Sequence, residues 1–279
     1  GVKNAEELQK LDIERLLENR SALDREGIAL CPVSDGEFIP LDPIEAYSEG
    51  LLKGVKVLVG YNKDELRFFL AHTKWNREEE TEKSFLPFIS RIYDKVSAQM
   101  TPEDKKIAEN FMAESGESEA LAKERLLSEL CFGTGARKIA EIASNVTDAY
   151  LYFFDFPTFS YLQGAQHGAE LPFVFAKTYP GMNTKPKYFN DMYGSIGEVW
   201  ASFAKTGVPT INGRPAPKYD AKNRSVIVFD AEGRAFTADN YLKYEDNKLA
   251  SLFKYQMPAC IASFIMPTSE FKKYGIGAD

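Results

Sequence analysis

The chain has 279 residues, 44% hydrophobic and 13% aromatic, with 20 Phe and 14 Tyr. That length allows one large domain or two small ones, and that aromatic share excludes a disordered chain. A formal net charge of −7 with no basic cluster argues against nucleic acid or an anionic membrane surface as partner, and no apolar run reaches the ~18 residues of a membrane span.

In chain order, residues 4–19 read as one or two short helices. Asn4 caps the first and Asp12 the second, with Leu8, Leu11, Leu16 and Leu17 on the apolar side. Ile28 to Val33 is a short extended run that ends in the turn Ser34-Asp35-Gly36. Asp42-Pro43 starts a helix that Gly50 ends. Val55 to Gly60 is apolar and rich in β-branched residues, the pattern of a strand buried on both faces. A helical middle follows from about Thr81 to Asn145, with Thr101-Pro102-Glu103-Asp104 as a helix start. Ala149 to Phe156 is the strongest strand signal. A loop rich in Gly and Pro leads to the best helical face, Phe189, Met192, Tyr193, Ile196, Trp200 and Phe203, which Gly207 closes. Ser225 to Phe229 and Ala235 to Thr237 read as a hairpin, and the end of the chain as mostly helical up to Pro267.

Strands separated by long helical stretches give an α/β fold with a mainly parallel sheet. Only two strands read as fully buried, and two such strands would each carry an unpaired edge. Part of the sheet is therefore expected to come from outside this chain.

Two segments carry chemistry. Gly60-Tyr-Asn-Lys-Asp-Glu65 places two carboxylates, Asp64 and Glu65, just past a strand, where α/β sheets gather functional groups. Their plainer reading is the acidic start of a helix. Gly164-Ala-Gln-His167-Gly-Ala-Glu170-Leu-Pro-Phe places a histidine in a glycine-flanked loop, free to reach a site and suited to proton transfer near neutral pH. A hydrogen-bonded loop histidine is the plainer alternative. His72, among Thr73 and Lys74, reads as a surface residue. Cys31, Cys131 and Cys260 are odd in number and far apart, and no Cys/His cluster occurs. Neither a disulfide framework, a metal site nor any cofactor is expected.

Taken together, the N-K-D-E and H-G-x-E-L-P-F segments resemble the type-B carboxylesterase family. Further matching pieces run in family order: Pro32 to Pro40, Leu126 to Phe132, Tyr150 to Phe154 and Trp200 to Pro209. The resemblance spans residues from about 5 to about 255 and implies an α/β-hydrolase fold with a Ser-Glu-His triad. It puts the family's acid on Glu65 and its base on His167, with Asp64 as a fallback acid. Glu170 matches an acidic residue near the family's site and takes a supporting role. Phe156, Phe159 and Tyr161 are expected to line that site.

The nucleophile does not follow. No Gly-x-Ser-x-Gly occurs, and nothing matches the family's oxyanion glycines. Gly116-Glu-Ser118-Glu-Ala120 lacks the last glycine and follows the acid, so Ser118 is expected to cap a helix. Leu66 replaces the glycine often seen after K-D-E. Residues 1–279 are thus expected to be the C-terminal portion of one carboxylesterase domain whose nucleophile-bearing N-terminal half is absent. Gly1 in place of an initiator Met or signal segment fits a fragment or processed product. The expected function is hydrolysis of a small carboxylic ester by the intact protein, with the missing half as partner and this chain alone inactive. The alternative is an inactive cholinesterase-like adhesion or binding protein. A cytoplasmic location is expected.

Overall fold

Side chains that satisfy the first amides of a helix set four of the helix starts. In the computed structural model, which describes residues 2–17, 32–70, 82–159, 163–179, 182, 186–243 and 248–264, Asn4 accepts from the Glu7 amide and heads α1 (Ala5–Leu8). Asp42 accepts from the Ile44 and Glu45 amides and heads α2 (Pro43–Ser48). The strand β1 (Val57–Asn62) begins and ends two residues later than its apolar run. Four helices follow: α3 (Arg67–Leu70), α4 (Glu82–Ser97), α5 (Pro102–Glu114) and α6 (Glu119–Ser128). Thr101 caps α5, and the Ser118 hydroxyl accepts from the Leu121 amide at the head of α6, the expected capping role. A π-helical turn, Glu129–Gly133, joins α6 to α7 (Thr134–Ser144). Then come β2 (Ala149–Phe154), α8 (Leu171–Val174), α9 (Pro186–Thr206), a minor pair β3 (Thr210–Ile211) and β4 (Arg214–Pro215), β5 (Val226–Phe229) and β6 (Ala235–Ala238). A 3₁₀ run, Leu249–Tyr255, precedes α10 (Gln256–Phe264). Cys31, His72, Tyr161, residues 28–31 of the first extended run and the tail after Pro267 lie outside the described residues. No described helix is long and apolar enough to cross a membrane.

The main sheet has the order β1-β2-β5-β6. β1, β2 and β5 are parallel, and β6 returns antiparallel to β5 as the expected hairpin. Burial corrects the sequence reading. β5, read only as half of a hairpin, is buried at all four positions. β1, read as buried on both faces, is half-buried from Val57 to Gly60 and fully buried only at Tyr61 and Asn62. The cause is position. β5 has a strand on either side, whereas β1 has none on its outer edge among the described residues.

Strand alternation sends side chains to two layers. Tyr61, Leu151, Phe153 and Val228 pack with Ala136, Ala140 and Ala143 of α7. Tyr150, Phe154, Ile227 and Phe229 pack with Met192, Ile196 and Val199 of α9 on the other face. A third cluster joins α4, α5 and α6 to Leu249, Leu252 and Ala259.

Gly60 lies opposite Tyr152 in the ladder, and a Cβ there would strike the Tyr152 carbonyl and ring. Overpacking of that kind costs about 1–3 kcal/mol. Gly60→Ala is expected to lower the urea midpoint with an unchanged slope; an unaltered midpoint would mean that β1 moves freely against β2.

Candidate active site

Parallel pairing brings the carboxyl ends of β1 and β2 side by side, and the Lys63 amide extends the ladder by one bond to the Phe154 carbonyl at 2.8 Å. The chain then turns. The loop after β1 (residues 62–67) meets the loop after β2 (residues 163–170) in a tight seam. The Asp64 amide donates to the Ala165 carbonyl at 3.0 Å, and the Ala165 amide donates back to Asp64 Oδ2 at 2.9 Å. The His167 amide donates to the Glu65 carbonyl at 3.3 Å. Asn62 Nδ2 donates to the Gln166 carbonyl at 2.8 Å and to Glu170 Oε2 at 2.5 Å.

This seam fixes one carboxylate on one imidazole. Glu65 Oε1 accepts from the Asn62 amide at 2.8 Å, and Glu65 Oε2 lies 2.6 Å from His167 Nδ1. The two residues are 102 apart in sequence. Glu65 is buried, while the His167 side chain is 45% exposed. With Nδ1 engaged, the second ring nitrogen is left for proton transfer. The hydrogen bond to Glu65 holds the His167 pKa above the ordinary histidine value, partial burial opposing it and the charges of Glu65 and Glu170 adding to it. Burial raises the Glu170 pKa, with the Asn62 bond acting the other way.

The ring is walled by Phe132 at 5.2 Å, Phe69 at 5.3 Å and Phe68 at 6.1 Å between centroids. These aromatics were not expected. Of those that were, Phe156 is buried against Phe154 and Phe173, and Phe159 packs on the same cluster. Phe156 ends the chain's second strand signal on the face toward α9, so it belongs to the core.

Asp64, the fallback acid, does not serve the imidazole. Its Oδ1 is 2.9 Å from Arg67 Nη2. Arg67 Nε donates to Glu124 Oε2 at 2.8 Å, and Glu124 Oε1 accepts from the Ser128 hydroxyl at 2.6 Å. Ser128 Oγ in turn accepts from the Leu66 amide at 3.0 Å. All four side chains are buried. Burial pushes the Glu124 carboxyl up to about 7, with Arg67 pulling the other way. Gly164 permits this closeness: its φ is +55°, and a Cβ would strike the Asp64 carboxylate. Removing one member of a buried ion pair costs about 3–5 kcal/mol, because the remaining charge keeps its burial and loses its partner. Arg67→Met, which strands both Asp64 and Glu124, is expected to fall in that range by urea denaturation; a cost near zero would mean that both carboxyls become neutral without penalty.

Comparison with known proteins identifies the family. A family model described as the carboxylesterase family matches residues 3–249. Para-nitrobenzyl esterase of Bacillus subtilis (strain 168) is 26% identical over 207 residues, covering 72% of this chain and 39% of that protein. Carboxylesterase 1C of Rattus norvegicus is 29% identical over 230 residues, covering 77% of this chain and 40% of the relative. A crystal structure of a Geobacillus stearothermophilus carboxylesterase superposes with a TM-score of 0.67 and 27% identity, covering 88% of this chain and 50% of that one. The chain thus spans about 40% of the length of these curated relatives.

Proposed function

We propose, from the premise that this chain belongs to the carboxylesterase family, that it supplies the acid and base of a serine esterase, Glu65 and His167. The observation that carries this is the 2.6 Å contact between Glu65 Oε2 and His167 Nδ1 at the ends of adjacent parallel strands. In this reading Glu65 holds the Nδ1–H tautomer and stabilises the imidazolium. The other ring nitrogen takes the proton of an attacking serine hydroxyl and returns it to the leaving alcohol. Water, activated by the same histidine, then cleaves the acyl-serine. Glu170 supports the site through Asn62, which holds the Glu65 and His167 loops together. The wall of Phe68, Phe69 and Phe132 fits a small carboxylic ester with an apolar group beside the scissile bond.

The serine and the oxyanion donors come, in this proposal, from a polypeptide segment outside these 279 residues. That segment adds along the outer edge of β1, where no described strand pairs. It also covers exposed apolar side chains such as Phe38, Leu41 and Phe175. The test supplies a family N-terminal half carrying Gly-x-Ser-x-Gly, joined to the chain or mixed with it, and measures p-nitrophenyl acetate hydrolysis. Turnover that appears only with an intact elbow serine supports the reading; no turnover from a folded complex overturns it.

The pH profile follows with a definite sign. A general base works when neutral, and the bond to Glu65 makes His167 hold its proton to higher pH than a free imidazole. The acid limb of kcat/KM is therefore expected above the ordinary histidine range, with activity lost as pH falls through it. An acid limb at or below that range would contradict the assignment of His167 as base.

A further inference from the structure

Glu65 is held by neighbours on both sides in sequence, and neither of them hydrogen-bonds the imidazole among the described contacts. On one side Asp64 accepts across the seam from the Ala165 amide and is ion-paired with Arg67. On the other, the Leu66 amide is bonded to Ser128, whose hydroxyl is bonded to Glu124. Arg67 closes the loop by bonding Glu124 as well as Asp64. The circuit runs Asp64, Arg67, Glu124, Ser128 and back to Leu66, and it encloses the backbone of Glu65. It fastens that backbone to α6 and, through Ala165, to the loop that carries His167. A carboxylate on a turn without such ties would sample several rotamers and backbone positions, and a displacement of ~1 Å is enough to weaken a catalytic contact severely.

We propose that Asp64, Arg67, Glu124 and Ser128 form a positioning circuit that sets the register of Glu65 against His167. The proposal rests on the reading of Glu65 and His167 as acid and base, and adds residues that act only through them. Asp64 does so in place of the acid role its sequence position allowed. Ser128 is the most telling member because it carries no charge. Its direct tie to Glu65 is the bond to the Leu66 amide, the residue next in sequence.

The experiment reads the imidazole directly and needs no turnover. The chain, with or without its complementary half, is labelled with ¹⁵N-histidine and titrated by NMR. It has two histidines, so His72→Gln assigns the His167 signal. Among the described residues the charged groups facing His167 are Glu65 and Glu170, and Glu65→Gln defines the midpoint without the acid. Ser128→Ala and Asp64→Ala are expected to lower the His167 midpoint most of the way to the Glu65→Gln value. Ser128→Thr, which keeps the hydroxyl, is expected to restore the native midpoint. If Asp64→Ala fails to fold by circular dichroism, the Ser128 pair decides alone. An unchanged His167 midpoint in folded Ser128→Ala would overturn the positioning role and leave the acid–base reading intact. An unchanged midpoint in Glu65→Gln would overturn both.

Discussion

The 279-residue chain on its own is expected to hydrolyse p-nitrophenyl acetate no faster than a protein blank, and to resist a fluorophosphonate probe. In the proposed mechanism His167 accepts a proton only from a positioned nucleophile, and Glu65 acts only on His167. Without the serine the covalent route is closed, and each missing oxyanion donor forfeits about 10²–10³-fold more. No Gly-x-Ser-x-Gly lies in the sequence. The nearest imitation centres on Ser118, whose hydroxyl accepts from the Leu121 amide 3.5 Å away at the head of α6. A serine used as a helix cap, with no strand before it, lacks the raised elbow geometry that exposes a nucleophile. Probe labelling is scored by intact mass and peptide mapping. A labelled Ser118 would overturn its assignment as a cap, and labelling at any other serine of this chain would mean that the nucleophile lies within it.

Local chemistry was the most legible part of the sequence. Asn4, Asp42, Thr101 and Ser118 each bond an amide two or three residues ahead, so the pattern that signals the cap also makes it. The Glu65–His167 pair was legible for a different reason. Taken alone, each segment had a plainer reading, an acidic helix start or a loop histidine, and it was the family resemblance of the two segments together that singled out Glu65 and His167; the parallel pairing of β1 and β2 then brings the ends of their strands side by side. Polarity patterns failed where burial depends on which strand ends up flanked. Val57 to Gly60 and Val226 to Phe229 are both apolar, yet only β5 lies between two strands. The positioning circuit was invisible because the two bonds that close it cross long sequence gaps, 57 residues from Arg67 to Glu124 and 62 from Leu66 to Ser128. Only the spacings of Asp64 to Arg67 and of Glu124 to Ser128, three and four residues, offered local hints. The wall of Phe68, Phe69 and Phe132 likewise joins two distant segments, whereas the reading of Phe156 and Phe159 relied on nearness in sequence to His167.

Substitution of the two proposed catalytic residues should separate their roles once the complementary half restores turnover. His167→Ala removes the base itself, and kcat is expected to fall by up to about 10⁶-fold, the scale seen when a triad base is deleted. Glu65→Gln keeps the shape and changes the hydrogen-bond sense. An amide NH₂ facing Nδ1 favours the tautomer with the proton on the other ring nitrogen, the one that must accept the serine proton. That change costs roughly 10⁴-fold in kcat in a triad whose geometry is intact. KM should move little in either variant, because the lost interactions strengthen only in the transition state. The double variant should be hardly slower than His167→Ala alone, since Glu65 has nothing to act on once the imidazole is gone. Single-turnover and steady-state rates on p-nitrophenyl acetate, with folding checked by circular dichroism, measure all four values. Additive losses in the double variant would mean that Glu65 contributes by a route other than His167. A complex whose rate is indifferent to His167→Ala would sink the mechanism while leaving the family membership untouched.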